Sequence, residues 1–201
     1  MMQKNNRFKE LYISILILFV LSVIALIVID MAHKSRSELP VLGQVPDFNF
    51  VERNGMAFGK DNMKGKINIV NFFFTNCQGP CPIMNARVAE LYKKYATTDK
   101  VRFISISVDP KRDSLAVLRK YANDFGVTDE RWLFLRGELD EVQRLSEQGF
   151  KLGGELPTIH STKLILVDPD GNIRGYYDSF DEESLRLLTT HVKALLSDYS
   201  L

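Results

Sequence analysis

The chain has 201 residues, 45% of them apolar and 25% charged, with 26 basic side chains against 25 acidic ones and a net charge of +1. That length and balance fit one globular core, exclude a disordered polyelectrolyte, and leave non-specific nucleic-acid binding without an electrostatic drive at the level of the whole chain. Only two cysteines are present, Cys77 and Cys81, which excludes a disulfide-rich scaffold and a four-cysteine zinc site.

Lys4, Arg7 and Lys9 lie in a ten-residue polar start, residues 1–10, followed by 19 uncharged residues, Leu11–Ile29, that are apolar on every side. At 1.5 Å per residue, a helix of that length covers a hydrocarbon core of about 30 Å, and the all-round apolar pattern argues against an interfacial stripe. The run ends in Asp30-Met31-Ala32-His33 with no small-x-small cleavage site and no following cysteine, so an uncleaved anchor is expected and a lipid anchor is not. Three basic residues before the span against two after it, Lys34 and Arg36, favour a cytoplasmic N-terminus. The start is too short for a transit peptide, which points to a single-pass protein of a bacterial plasma membrane with its soluble part outside the cytoplasm, on the periplasmic side. Beyond Asp30, basic and acidic residues balance at 23 each.

Residues 30–46 carry Pro40, Gly43 and Pro46 and read as a tether, leaving residues 47–201 as the folded domain. Phe48–Val51 and Met56–Phe58 flank Asn54-Gly55, a hairpin signal. Ile67–Phe74 reads as a buried strand, and Met84, Val88, Leu91 and Tyr95 then recur on one face of a helix. Val101–Val108 is a strand, and Asp113-Ser114 caps a helix carrying Leu115, Leu118, Ala122 and Phe125. Trp132–Leu135 is a short strand and Glu138–Gln148 a helix. Lys163–Val167 and Ile173–Tyr177 form a hairpin through Pro169–Asn172, and Leu185, Leu188, Val192 and Leu195 close with an amphipathic helix. Strands alternating with helices and ending in a hairpin predict an α/β fold with a mixed central sheet.

Both cysteines fall where the buried strand hands over to a helix. Unpaired amides at a helix start favour thiolate over thiol, raising reactivity and metal affinity together, though Pro80 contributes no amide and only a moderate lowering of the thiol pKa is expected. Their separation puts the alpha carbons at about 6 Å, inside the range for a disulfide and for two sulfurs on one soft ion. A permanent structural disulfide would close a small loop worth on the order of 2 kcal/mol. Cys77, nearer the strand, is expected to be the exposed attacking sulfur and Cys81 the shielded one.

Of three histidines, His33 reads as a juxtamembrane residue and His191 as a partly packed helix residue. His160 precedes the strand at Lys163, and if that strand is central its leading loop can face the cysteines; a loop histidine with no ligand role is the alternative. Two thiolates with an imidazole suit Cu(I) and can also hold Cu(II). In Asp109-Pro110-Lys111-Arg112-Asp113 the first carboxylate starts a turn and the last caps a helix without a metal, and Asp168-Pro169-Asp170-Gly171 is a hairpin turn and not a calcium loop.

These residues together resemble the Sco/SenC family. The match rests on the aromatic strand ending in Thr75, Cys77 to Cys81 with Pro82, Ser107-Val108-Asp109-Pro110-Lys111-Arg112-Asp113, and His160-Ser161 followed by Leu166 to Gly171. The resemblance implies a membrane-anchored, thioredoxin-like copper protein that assists assembly of cytochrome c oxidase. It further implies a copper ion bound by Cys77, Cys81 and His160, and a partner that bears the oxidase's copper centre or another copper protein. Some members of the family are thought to reduce that centre's cysteines instead, so the alternative function is a thiol-disulfide oxidoreductase using Cys77 and Cys81 as a redox pair. Two places differ from the common family pattern: Gln78-Gly79-Pro80 stands between the cysteines, where Pro-Asp often follows the first, and Ile159 replaces an Asp before the histidine.

Overall fold

The computed structural model describes residues 4–34, 39–153 and 161–199, with side chains described outside residues 4–8 and 27–34. Two compact units divide at Glu38, residues 1–38 and 39–201. Among the described residues the first holds one helix, α1 (Lys4–Lys34). Its Lys9–Leu26 segment is long and apolar enough to cross a membrane.

The second unit is built on an eight-stranded mixed sheet. In chain order its elements are β1 (Gly43–Gln44), β2 (Asn49–Glu52), β3 (Ala57–Gly59), α2 (Lys60–Met63), β4 (Ile67–Phe73), α3 (Cys81–Lys94) and β5 (Val101–Ser107). They continue with α4 (Leu115–Asp124), β6 (Trp132–Arg136), α5 (Leu139–Arg144), a π-helical turn at Leu145–Gly149, β7 (Lys163–Val167), β8 (Asn172–Asp178) and α6 (Glu182–Asp198). The strand order is β1-β8-β7-β4-β5-β6-β2-β3. Parallel pairing of β4 with β5 and β5 with β6 comes from the two βαβ crossovers through α3 and α4, while β7 and β8 add antiparallel strands on the other side of β4. This is the expected α/β architecture with a mixed sheet, of thioredoxin-like form.

Every residue of β4 is buried because layers cover both faces of the sheet. Ile67, Ile69 and Phe73 join a core with Met84, Val88, Leu91 and Tyr92 of α3 and Leu188, Val192 and Leu195 of α6. Val70 and Phe72 point the other way, into a core with Phe50, Ile104, Leu145 and Phe150. At about 1.5–3 kcal/mol per fully buried large apolar side chain, these two layers dominate the favourable side of folding. The hairpin of β2 and β3 turns at Gly55, whose φ of +91° is a conformation a side chain would strain.

Three stretches differ from the sequence reading. Where a tether is expected over residues 30–46, α1 continues to Lys34 and Gly43–Gln44 pairs antiparallel with β8 as an edge strand. Val45 is buried there, and Arg174 Nη1 donates to the Leu39 carbonyl. Two strand residues and a four-residue helix, α2, are too short to leave a periodic signal, which is why neither was foreseen. The helix expected over Glu138–Gln148 is α-helical only to Arg144 and then widens into the π-turn, with the Phe150 amide donating to the Leu145 carbonyl. Gly149 in that turn lies so close to Pro46 that an added Cβ would sit 2.9 Å from its ring.

Candidate functional site

Cys77 stands on the loop after β4, half-buried, and its amide donates to the Phe74 carbonyl at 3.4 Å. Cys81 is the first residue of α3 and wholly buried in the core that α3 shares with β4. Pro80 supplies the N-cap position, and its carbonyl accepts from the Met84 amide at 3.0 Å, so the proline-rich start places Cys81 at the first turn without wasting an amide. The two sulfurs are not joined in a disulfide and lie near enough for a hydrogen bond between their side chains.

The helix-start expectation of a favoured thiolate fails at Cys81. Burial pushes its thiol up to about 12, outweighing the backbone hydrogen bonds that pull it down, and the neighbouring Cys77 sulfur pushes the same way. Removing a thiolate from water costs more here than partial amide charges return. The pair is therefore asymmetric, with a reachable sulfur on the loop and a sequestered neutral one in the helix.

A buried polar chain runs beneath α3. Asn71, inside the otherwise apolar β4, donates to Asn85 Oδ1 at 3.0 Å and accepts from Ser105 Oγ at 2.7 Å. Trp132 Nε1 donates to Ser105 Oγ at 2.9 Å, and Asn85 Nδ2 donates to the Tyr121 hydroxyl at 3.0 Å. Burial pushes the Tyr121 phenol up to about 12, against the Asn85 hydrogen bond, with Cys81, Cys77 and Asp113 adding charge that pushes it further. The signal for this network was present as an asparagine in a strand with no exposed face, where a polar group must find partners.

Asp113 corrects a second expectation. The N-cap of α4 is Ser114 alone, whose hydroxyl accepts from the Val117 amide. The Asp113 carboxylate, fully buried, instead accepts from the Thr75 hydroxyl and the Ser107 hydroxyl, both at 2.5 Å, and from the Thr75 amide at 3.2 Å. Asp109 behaves as expected of a turn residue: its carbonyl accepts from the Arg112 and Asp113 amides, and its carboxylate pairs with Arg112 at 3.0 Å.

His160 lies outside the described residues. The strand that follows it does not: β7 is interior to the sheet and antiparallel to β4, with Ile165 opposite Val70, so that Lys163 falls level with Phe72. The start of β7 thus arrives at the end of the sheet from which Cys77 projects. Thr162 is pinned there, its carbonyl accepting from the Ser179 amide and hydroxyl. Among the described residues, no three histidine, cysteine or acidic side chains gather closely enough to hold a metal. His191 pairs with Tyr177, Nδ1 to hydroxyl 2.6 Å, and burial lowers its pKa; the His33 side chain is outside the description.

Residues 40–197 match the SCO1/SenC family model. The SCO1 protein homolog of Bacillus subtilis is 32% identical over 162 residues, covering 77% of this chain and 84% of the homolog. Among solved structures, BsSco, described as a Sco-family cytochrome c oxidase assembly protein with a disulfide switch, aligns with a TM-score of 0.71 at 31% identity, covering 81% of this chain and 96% of BsSco. Yeast Sco1 solved with copper bound aligns with a TM-score of 0.61 at 26% identity, covering 75% of this chain and 89% of the yeast chain.

Proposed function

The chain belongs to the SCO1/SenC family, and on that premise we propose that it is a membrane-anchored copper-binding protein acting in assembly of the copper centre of cytochrome c oxidase. Cys77, Cys81 and His160 hold one copper ion. The observation that carries this reading is the asymmetric thiol pair at the end of β4, the end at which β7 begins three residues after His160. Two soft sulfurs suit Cu(I), and an added imidazole nitrogen lets the same set accept Cu(II). Bound copper supplies the partner with its metal. This chain's own residues do the rest: Cys81 sits shielded in the helix and Cys77 on the open loop, so Cys77 is the sulfur a receiving site meets first. Because the Cys81 thiol is held neutral by burial, metal capture releases its proton, and binding strengthens with rising pH.

The same asymmetry favours a second reading, reduction of a partner's disulfide. The Cys77 thiolate attacks one partner sulfur, the partner's S–S bond breaks, and its leaving sulfur takes a proton. Cys81, giving up its proton, then attacks the Cys77 sulfur of the mixed disulfide, which leaves the partner as a dithiol and Cys77–Cys81 oxidised, two electrons having moved.

In this proposal residues 11–29 span the membrane, residues 1–10 lie in the cytoplasm, and residues 39–201 work on the outer side, near a membrane-bound oxidase subunit. Copper titration of the reduced full-length chain in detergent, against a competing chelator, tests the metal reading. Cys77→Ser and Cys81→Ser should each abolish stoichiometric binding. His160→Ala should keep weak Cu(I) binding and lose the thiolate-to-Cu(II) absorption, while His191→Ala binds like the parent. Parental binding of both oxidation states by His160→Ala removes the third ligand from the proposal. No copper binding by the parent, with turnover of a disulfide substrate, replaces the copper reading by the redox one.

A further inference from the structure

We infer that Asp113 is a positioning residue for Cys77, a buried carboxylate that clamps the cysteine loop through Thr75 and so sets how far the Cys77 sulfur stands from Cys81 and from an approaching reagent. The inference deepens the proposed site and rests on the two sulfurs being its working groups.

Asp113 is fully buried where the start of α4 meets the ends of β4 and β5. Its own amide donates to the Asp109 carbonyl at 2.9 Å, so the turn after β5 holds its backbone. Its carboxylate reaches away from the helix it precedes. One oxygen accepts from Thr75 Oγ1 at 2.5 Å, and the other accepts from Ser107 Oγ at 2.5 Å and from the Thr75 amide at 3.2 Å. Ser107 ends β5, the strand paired with β4 up to Phe73, so it is a fixed point on the sheet. Thr75 is two residues before Cys77 and beyond the last paired residue of β4. Backbone ties on the way to Cys77 include the Val108 amide donating to the Phe73 carbonyl, a hydrogen bond from the Phe74 backbone to the Cys81 sulfur, and a long 3.4 Å bond from the Cys77 amide to the Phe74 carbonyl. The Asp113 clamp therefore supplies two of the hydrogen bonds that fix the segment between strand and cysteine, both through Thr75. The carboxylate takes both the hydroxyl and the amide of Thr75, and a segment past the end of its strand ladder is where such an anchor has most effect. A helix-capping role does not account for this carboxylate, since Ser114 caps α4 without it.

The test uses the reduced, metal-free full-length chain in detergent, so it is read whether or not copper binds. Three quantities are measured at one fixed pH: the alkylation rate of Cys77, the equilibrium between dithiol and Cys77–Cys81 disulfide in a glutathione buffer, and the thermal midpoint. Asp113→Asn and Thr75→Val should each speed alkylation of Cys77 by about fivefold, because the released loop exposes the sulfur. Each should also weaken the disulfide by about fivefold, since a looser loop lowers the effective concentration of one thiol at the other; that is ~20 mV less negative for a two-electron couple. The double variant should do no more than either single, because both break one clamp. Thr75→Ser, which keeps the hydroxyl and the amide, should behave like the parent. Asp168→Asn, a destabilising change at the opposite end of the sheet, is the control for general loosening. The inference is overturned if Thr75→Val leaves both thiol measurements at parental values, or if Asp168→Asn moves them as much as Asp113→Asn does. Should Asp113→Asn fail to fold, the Thr75→Val and Thr75→Ser pair decides alone.

Discussion

Two aspartates, each with no exposed surface, close opposite ends of the same sheet and are satisfied in different ways. Asp168 follows β7 and accepts from the Asp170 and Asn172 amides at 3.0 and 2.8 Å, from the Tyr199 hydroxyl at 3.2 Å, and from the Arg174 guanidinium at 2.6 Å. Asp113, at the cysteine end, accepts from hydroxyls and an amide belonging to Thr75 and Ser107. The first carboxylate is charge-matched and ties β8, the segment before β1 and the end of α6 to one turn, since Arg174 also reaches the Leu39 carbonyl and Tyr199 also reaches Asp170. The second is held by neutral donors and grips one loop. The Asp168 carboxylate thus ties parts of the fold to one another, whereas the Asp113 carboxylate fixes the loop two residues before Cys77.

Losing a partner of a buried ion pair leaves an uncompensated charge, so Asp168→Ala should give the largest effect, about 3–5 kcal/mol in a denaturant melt. Cys77 alkylation should stay within about twofold of parent if measured where that variant is still folded. Equal acceleration of alkylation there would erase the distinction between the two ends. Asp113→Ala should cost less stability, about 1–3 kcal/mol for hydrogen bonds lost at a buried site, and shift thiol reactivity more.

Acid sharpens the comparison. Burial raises the Asp168 carboxyl, but the Asn172 and Arg174 hydrogen bonds and the Arg174 charge outweigh it and hold the group below its ordinary value of 3.8. A depressed folded pKa contributes stability that is present above the unfolded value and lost as pH falls through the folded one. Parent protein should thus lose stability steeply below about pH 4, and Asp168→Asn, already weaker at neutral pH, should show a flatter pH dependence there. A parallel pair of acid curves would assign the acid sensitivity elsewhere.

Gly79→Ala should have a smaller effect. Its added methyl would lie 3.8 Å from Cys77 Sγ, ordinary contact without a clash, so stability should change by no more than about 0.5 kcal/mol while alkylation slows by about twofold. Smallest of all should be deletion of residues 1–38. Both aspartates, both core layers and both cysteines belong to the compact unit from Leu39 onward, and the truncated protein should melt and alkylate like the full chain.

Periodicity made most of this fold legible. Strand β4 reads as Ile-Asn-Ile-Val-Asn-Phe-Phe because a strand covered on both faces has no polar alternation, and α3 reads from Met84, Val88 and Leu91 because one face meets that strand. The Asn-Gly turn and the Pro-Asp-Gly hairpin were legible from backbone preferences that are properties of single residues. At the site, the chain order of Cys77 and Cys81 showed which sulfur lies on the loop and which in the helix.

What composition, periodicity and local chemistry determined was whatever depends on neighbours along the chain: the apolar helix, the βαβ order, the turns, and a thiol pair at a strand-to-helix junction. Tertiary structure decided the rest. Cys81 lies in a core that also takes side chains from β4, β5, α4 and α6, and its burial there reversed the effect predicted from helix amides alone. The role of Asp113 depends on Thr75, 38 residues earlier, which became its partner only because β5 paired beside β4. The edge strand at Gly43 exists only because β8 offers it a ladder. Hydrogen bonds and burial act through space at a few ångströms, so their sign at a given residue is decided by which strands pair, and strand pairing is not a local property of sequence.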